Sequence, residues 1–175
     1  IPTSLDTPAL EAFIVERPDA NGPYGAKEAG EGPLHSTIPA IANLLIRRLP
    51  ADDQGRLLAA CEPVAWRLAE VLCEPGAPLR HAYFPLSGFL SLVTQAASGP
   101  SLEVGMVGHE GVLGAELALG VQHAPFHALV QGPGSALRIA SDALLAEMAR
   151  SAALREALKR YTGVTLSQLA TSAAC

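Results

Sequence analysis

Glycine and proline divide most of this chain into segments that are too short for long helices. The 175 residues include 16 glycines and 14 prolines, and these interrupt the apolar stretches between 62 and 140 repeatedly. What remains is strands of roughly four to eight residues joined by turns, which is typical of an antiparallel roll or barrel. We therefore predict an α+β fold, in which an antiparallel β-roll of the jelly-roll type is flanked by short helices before it and a long helix after it.

Alternating residues and turn clusters predict the individual strands. The alternating apolar residues of 64–68 predict one strand. Two more, at 81–84 and 89–93, are predicted to pair with each other across a turn at 85–88.

The same signals continue in the second half of the roll. The alternating apolar residues of 102–106 are predicted to face the core, with 126–131 as their partner strand. The Gly-Pro-Gly sequence at 132–134 predicts a further turn before a last strand at 136–139.

Helical periodicity is found on both sides of these strands. Apolar residues at helical spacing predict one helix over 38–49, which ends before Pro50, and a second over 52–61. Ser141 is predicted to cap a third short helix, and the longest helical pattern in the chain runs over 152–175.

These patterns divide the chain into three parts. Residues 1–36 hold five of the prolines and no sustained period, so we expect a flexible N-terminal tail. Residues 37–150 are predicted to form the roll with its flanking helices. Residues 151–175 are predicted to begin a long helix.

Charge and hydropathy exclude several classes of function. The net charge is −5 and the twelve lysines and arginines are scattered, so these residues predict no DNA-reading surface. No apolar run approaches the ~18 residues of a membrane helix, and no signal peptide is evident. We predict a soluble cytoplasmic protein without membrane contact.

Metal-ligand and nucleophile patterns are weak. Cys61, Cys73 and Cys175 are far apart and form no CxxC motif. His123 and His127 are four residues apart, but the proline between them argues against a helical ligand pair. No GxSxG motif is present, and we expect neither a metal, a cofactor nor enzymatic activity.

The segment 103–130 is the predicted ligand site, because the strand pattern pauses there. Glycines at 114 and 120 bound a compact apolar run, Ala115-Glu116-Leu117-Ala118-Leu119, which predicts one or two helical turns between strands. Glu116 precedes Phe126 by ten positions, and His127 and Ala128 follow it.

This arrangement resembles the effector domain of Crp/Fnr-type bacterial transcription regulators, a cyclic-nucleotide-binding-like β-roll. Cassettes in that family read Gly-Glu, several residues, then Arg-Ser/Thr-Ala, with the Glu on the ribose and the Arg on the cyclic phosphate. The order of Gly76, Tyr83-Phe84 and Ser87-Gly88 is similar to the family as well. The resemblance implies a cassette-equivalent ligand site at Gly114, Ala115, Glu116, Leu117, Phe126, His127 and Ala128.

The chain departs from the family at the phosphate-binding position. Phe126 stands where the Arg would be, and an uncharged ring cannot pair with a phosphate as a guanidinium does. We therefore expect that the domain does not bind cyclic AMP in the usual way.

The long C-terminal helix is the predicted dimerisation element. Residues 154, 158, 161, 165, 168 and 172 recur at 4-3-4-3-4 spacing, which suits either a two-helix seam or a lone amphipathic helix packed on its own roll. The family dimerises through this helix, and in nucleotide-binding relatives its polar residues cover the ligand. The predicted residues are Leu154, Leu158, Tyr161, Thr162, Thr165 and Leu169.

The sequence leaves three functions open. The first is the effector-sensing and dimerisation domain of a transcription regulator, with a small-molecule effector, itself as homodimer partner, and DNA bound through a helix-turn-helix domain expected after 175. The second is a dimerisation scaffold that binds no ligand. The third is a metal-dependent cupin-like enzyme, although the cupin His-x-His with a following Glu is absent.

Overall fold

Two long antiparallel strands form the centre of the fold. The protein is described by a computed structural model over residues 42–95 and 101–173. The strands of its sheet are β1 (Glu62–Trp66), β2 (Val71–Cys73), β3 (His81–Gln95), β4 (Ser101–Val107) and β5 (His127–Ala140). The sheet order is β1-β5-β3-β4, and β2 also pairs with β5. All of the strand pairs are antiparallel.

Helices lie before, within and after this sheet. They are α1 (Leu44–Arg47), α2 (Ala51–Ala59), a 3-10 helix (Ala115–Leu119), α3 (Ser141–Arg150) and α4 (Ala152–Ala173). The antiparallel strands and flanking helices confirm the predicted fold class, including the long C-terminal helix.

Two predicted turns are instead bends in continuous strands. Residues 85–88 lie within β3 and residues 132–134 within β5, and the register of the β3–β5 pair shifts between Pro85 and Leu90. Gly88 has a φ of 72°, and a Cβ there would lie 2.8 Å from the carbonyl oxygen of Pro133. The glycines therefore allow two bent strands to approach closely, and the segments 81–84 and 89–93 pair with β5 rather than with each other.

The prediction for β4 was also wrong in partner and was only partly right in orientation. β4 pairs with β3, not with 126–131. Leu102 and Met106 are 51% and 49% exposed, whereas Val104 packs against buried core residues.

The apolar core has two parts. The outer cluster joins the helices to the sheet, and the inner cluster fills the roll. The buried members of the outer cluster include Leu45, Ile46, Leu57, Phe84, Leu137, Ile139, Leu144, Leu154 and Leu158. Those of the inner cluster are Trp66, Leu90, Leu92, Val107, Leu113, Ala128, Val130 and Ala136.

Asn43 fixes the N-terminal helices to the roll. Its side-chain oxygen accepts from the N–H groups of Leu45 and Ile46, which caps α1. Its amide nitrogen donates to the carbonyl oxygens of Pro85 and Gly111, at 3.1 and 2.8 Å. The helix ends before Pro50 as predicted, whereas the apolar positions predicted at 38 and 41 lie outside the described residues, as does the predicted tail.

Polar side chains anchor the start of α4. Ser151 Oγ accepts from the N–H of Leu154 at 2.9 Å and donates to Asp53 Oδ2 at 2.6 Å. Arg56 pairs with Asp53 and lies 3.4 Å from Glu147. These bonds connect α2 to both α3 and α4. Ser141 begins α3 but does not cap it, because its hydroxyl donates to the carbonyl of a loop residue, Leu79.

Candidate ligand site

The short helix predicted between strands is present as a 3-10 helix. Gly114 and Gly120 flank it with φ angles of 96° and 80°, a conformation that other residues rarely adopt. Ala115 and Leu117 are buried against the outer cluster, whereas Glu116 is partly exposed. The two glycines thus define the ends of the short helix that carries Glu116.

Glu116 has a buried carboxylate oxygen that lacks a partner. Its Oε2 makes no hydrogen bond within the described part of the chain. Burial raises the pKa of Glu116, and a hydrogen bond from its own backbone N–H acts in the opposite direction. A buried acceptor without a donor is unfavourable, so this oxygen suits a water or a ligand that donates a hydrogen bond.

Cys73 lies beside Phe126 and within the electrostatic influence of Glu116. The thiol donates to the carbonyl oxygen of Phe126 over 3.7 Å. Burial raises the pKa of Cys73 to about 11, and the charge of Glu116 contributes to the increase. The thiol therefore remains protonated at neutral pH. No local sequence pattern marks Cys73 as a site residue, because only the pairing of β2 with β5 brings it beside Phe126.

The three residues of the predicted Phe-His-Ala segment lie in different environments. Phe126 and Ala128 both pack in the inner cluster. His127 points to the opposite face of β5, since successive strand residues alternate. It is 4% exposed, its Nδ1 has no partner in the described structure, and burial lowers its pKa against the raising effect of Glu74.

Helix α4 covers the 3-10 helix. Thr162 Oγ1 donates to the carbonyl oxygens of Leu158 at 2.9 Å and Ala115 at 3.4 Å. Tyr161 packs directly over Gly111, where a Cβ would lie 2.5 Å from the tyrosine Cε2. Burial raises the pKa of Tyr161 to about 12, and the charge of Glu110 adds to it. A displacement of Glu116 and its 3-10 helix would therefore change the contacts that this helix makes with α4.

Arg138 is engaged elsewhere on the sheet. Its Nε and Nη2 lie 2.8 and 2.7 Å from Glu62 Oε1 on the neighbouring strand β1. This pair raises the pKa of Arg138, with a smaller contribution from Tyr83. The guanidinium is thus held in a cross-strand ion pair.

The predicted dimer residues of α4 face their own roll. Leu154 and Leu158 are 1% and 0% exposed within the outer cluster. Leu169 lies against Gly105 of β4, and Thr165 donates to the carbonyl of Tyr161. Leu154 and Leu158 are therefore buried in the domain's own core, and dimerisation through the six predicted residues stays a prediction. The exposed apolar residues of α4 are instead Val164 and Leu166.

Two other features bear on the predicted functions. Within 42–95 and 101–173, no group of three or more potential metal ligands occurs. Among the same residues, no helix is both long and apolar enough to cross a membrane.

The rolled sheet, the glycine-bounded 3-10 helix and the covering helix together define a β-roll domain. Residues 63–151 match the cyclic nucleotide-binding domain family, and the chain belongs to this family.

Solved structures of similar fold include transcription regulators and the N-terminal domain of one. The N-terminal domain of a transcriptional regulator from Streptomyces coelicolor A3(2) aligns with a TM-score of 0.57 at 15% identity, covering 76% of this chain and 94% of that one. The Catabolite Activator Protein of Thermus thermophilus aligns with a TM-score of 0.62 at 15% identity, covering 74% of this chain and 61% of that one. CLP of Xanthomonas campestris, described as a c-di-GMP responsive global regulator, aligns with a TM-score of 0.61 at 17% identity. The alignment covers 71% of this chain and 63% of that one. The chain thus spans about three fifths of these last two proteins.

Proposed function

We propose that this chain is the effector-sensing and dimerisation domain of a Crp/Fnr-type transcription regulator whose cassette no longer takes cyclic AMP in the usual way. Membership of the cyclic nucleotide-binding domain family and the fold shared with regulators support the general assignment. DNA would be bound through a helix-turn-helix domain following 175. The altered cassette is supported by Phe126 and its surroundings.

The packing of Phe126 carries the proposal. At the position of the family's phosphate-binding Arg, the ring packs on the inner cluster. An apolar ring offers a phosphate neither a charge nor an N–H donor, whereas a bidentate guanidinium offers both. Glu116 remains nearby, so an anion entering the site would meet a carboxylate without a compensating cation from Phe126.

Calorimetric titration tests this directly. We expect cyclic AMP, cyclic GMP and cyclic di-GMP to bind no tighter than about 100 μM to the natural sequence, roughly −5 kcal/mol. The matched variant Phe126→Arg restores the cation, and we expect cyclic AMP to bind it at least about tenfold more tightly. Micromolar or tighter binding of cyclic AMP by the natural sequence would contradict the altered cassette.

Dimerisation is proposed to use the outer face of α4. On a helical projection, Gly163, Ser167 and Ala170 lie on one exposed side, flanked by Val164 and Leu166. The small residues permit a second helix to approach closely, and the two larger ones supply apolar contact area.

Light scattering on the purified chain tests this face. We expect a concentration-dependent dimer that Leu166→Asp shifts to monomer. Leu68→Asp is the matched control, since Leu68 is also an exposed leucine but lies in the turn after β1. An unchanged dimer in the Leu166 variant would place the interface elsewhere.

A second candidate is a scaffold that dimerises without any ligand. The packing of Phe126 on the inner cluster favours it, because a side chain of the protein itself occupies part of the roll interior. A dimer whose stability and helix protection respond to no small molecule would support the scaffold over the sensor.

A further inference from the structure

We propose that the Glu116 site accepts a small organic cation with N–H donors, such as an amine, amidine or guanidine, instead of an anion. This inference rests on the proposed sensor function and specifies its ligand class.

The first support is the free carboxylate oxygen. Glu116 Oε2 is buried and receives no hydrogen bond within the described residues. A hydrogen bond between a charged N–H donor and a carboxylate is among the stronger ones in proteins, and it becomes stronger as water is excluded. A ligand that donates to Oε2 would thus remove the cost of an unpaired buried acceptor.

The second support is the charge of the surroundings. Cys73 and Tyr161 are side chains on whose pKa the charge of Glu116 acts, and both are neutral at pH 7 because burial raises the pKa of the thiol to about 11 and that of the phenol to about 12. Arg138 is held in an ion pair by Glu62. Such a site repels an anion and attracts a cation.

The third support is the aromatic lining. Phe126 and Tyr161 both pack against the inner cluster, and the thiol of Cys73, whose pKa burial and the charge of Glu116 raise, donates to the carbonyl oxygen of Phe126. Aromatic faces attract amine and guanidinium groups when water is partly excluded. The same substitution that removes the phosphate-binding charge therefore supplies a surface suited to a cation.

The test uses agmatine and benzamidine as probes, with tetramethylammonium as a cation that lacks N–H donors and cyclic AMP as the anion. Binding is measured by calorimetry on the 175-residue chain. We expect agmatine or benzamidine to bind, tetramethylammonium to bind at least about tenfold more weakly, and cyclic AMP not to bind.

Three variants assign any binding to the site. Glu116→Gln should weaken the probe at least about tenfold, whereas Glu110→Gln, a change to an exposed carboxylate on the preceding turn, should alter it less than about twofold. Phe126→Arg should abolish probe binding, because its own guanidinium takes the place of the ligand. It also keeps the test valid if Glu116→Gln fails to fold.

The outcomes separate this inference from the proposed function. Equal probe affinity in Glu116→Gln and the natural sequence would overturn the inference. So would the absence of binding by every probe, which would leave Oε2 to water and leave the proposed sensor domain standing. Tight binding of cyclic AMP would overturn the altered cassette itself.

Discussion

The two halves of α4 differ in what they contact, although the same 4-3-4-3-4 spacing runs through both. In the first half, Leu154 and Leu158 are completely buried beneath the helix. In the second half, Val164 and Leu166 are 53% and 66% exposed. The first half is therefore part of the domain's own core, whereas the second half exposes apolar side chains to solvent.

Tyr161 and Thr162 mark the boundary between these halves. They are the positions at which the helix contacts the turn at Gly111 and the 3-10 helix that carries Glu116. A ligand at Glu116 would thus act on α4 where its buried half ends. This geometry would allow the exposed half to change its angle without unfolding the core.

The largest expected difference between the halves is in folding stability. Leu158→Ala should lower the free energy of unfolding by about 2–5 kcal/mol, because it leaves a cavity in the outer cluster. Leu166→Ala, the matched change in the exposed half, should change it by less than about 0.5 kcal/mol. Urea denaturation at a concentration low enough for the monomer measures both. Similar losses would mean that the halves are equally buried.

A pair of glycines gives the next largest contrast. Gly111→Ala would overlap the ring of Tyr161 and should cost about 1–3 kcal/mol, because the tyrosine has to leave its position. Gly163→Ala meets no atom within 4 Å and should stabilise α4 by up to about 1 kcal/mol. Hydrogen exchange along α4 reports each effect.

Combining Gly111→Ala with Tyr161→Leu provides the control. The double variant should lose less stability than the sum of the two single changes, because the clash is then absent. Simple additivity would show that Gly111 and Tyr161 act independently.

The smallest effect concerns pH at the two carboxylates beside α4. Ser151 and Arg56 lower the pKa of Asp53 below its ordinary value of 3.8, so stability from Asp53 is present at higher pH and lost as pH falls below about 4. Burial raises the pKa of Glu116 above its ordinary value of 4.5, so stability is lost as pH rises above about 4.5.

Melting temperatures between pH 3 and 8 separate these contributions. Glu116→Gln should remove the loss on the alkaline side and melt slightly higher at pH 7. Asp53→Asn should melt lower at pH 7 and depend less on pH below 4. A Glu116 variant that melts lower at pH 7 would instead indicate that the carboxylate already has a favourable partner.

Local signals in the sequence predicted the elements that depend on one segment. The 3-10 helix was predicted because glycine at both ends leaves room for only one or two turns, and the structure has it at Ala115–Leu119. The end of α1 before Pro50 followed from the restriction that proline places on the preceding residue.

Features that depend on a distant partner were not predicted. The glycines at 88, 132 and 134 suggested turns, but they allow β3 and β5 to bend against each other. Glycine permits both conformations, and only the partner strand decides between them. The role of Cys73 was missed for the same reason, since it is 43 residues from Glu116 in the sequence.

The sequence also could not predict whether the apolar side of α4 contacts a partner helix or the chain's own roll. A 4-3-4-3 spacing identifies one apolar side, and it is equally suited to a partner helix and to the chain's own roll. The decisive contacts are those of Leu154 and Leu158 with the outer cluster.

Gly111 has a further consequence because two helices depend on it from opposite ends of the chain. Its carbonyl receives the amide of Asn43, and its missing side chain makes room for Tyr161. The N–H of Leu44 is also bonded to the carbonyl of His109 on the same turn. The turn at 109–111 thus contacts both the start of α1 and the middle of α4, so a change in its backbone would alter the packing of both helices.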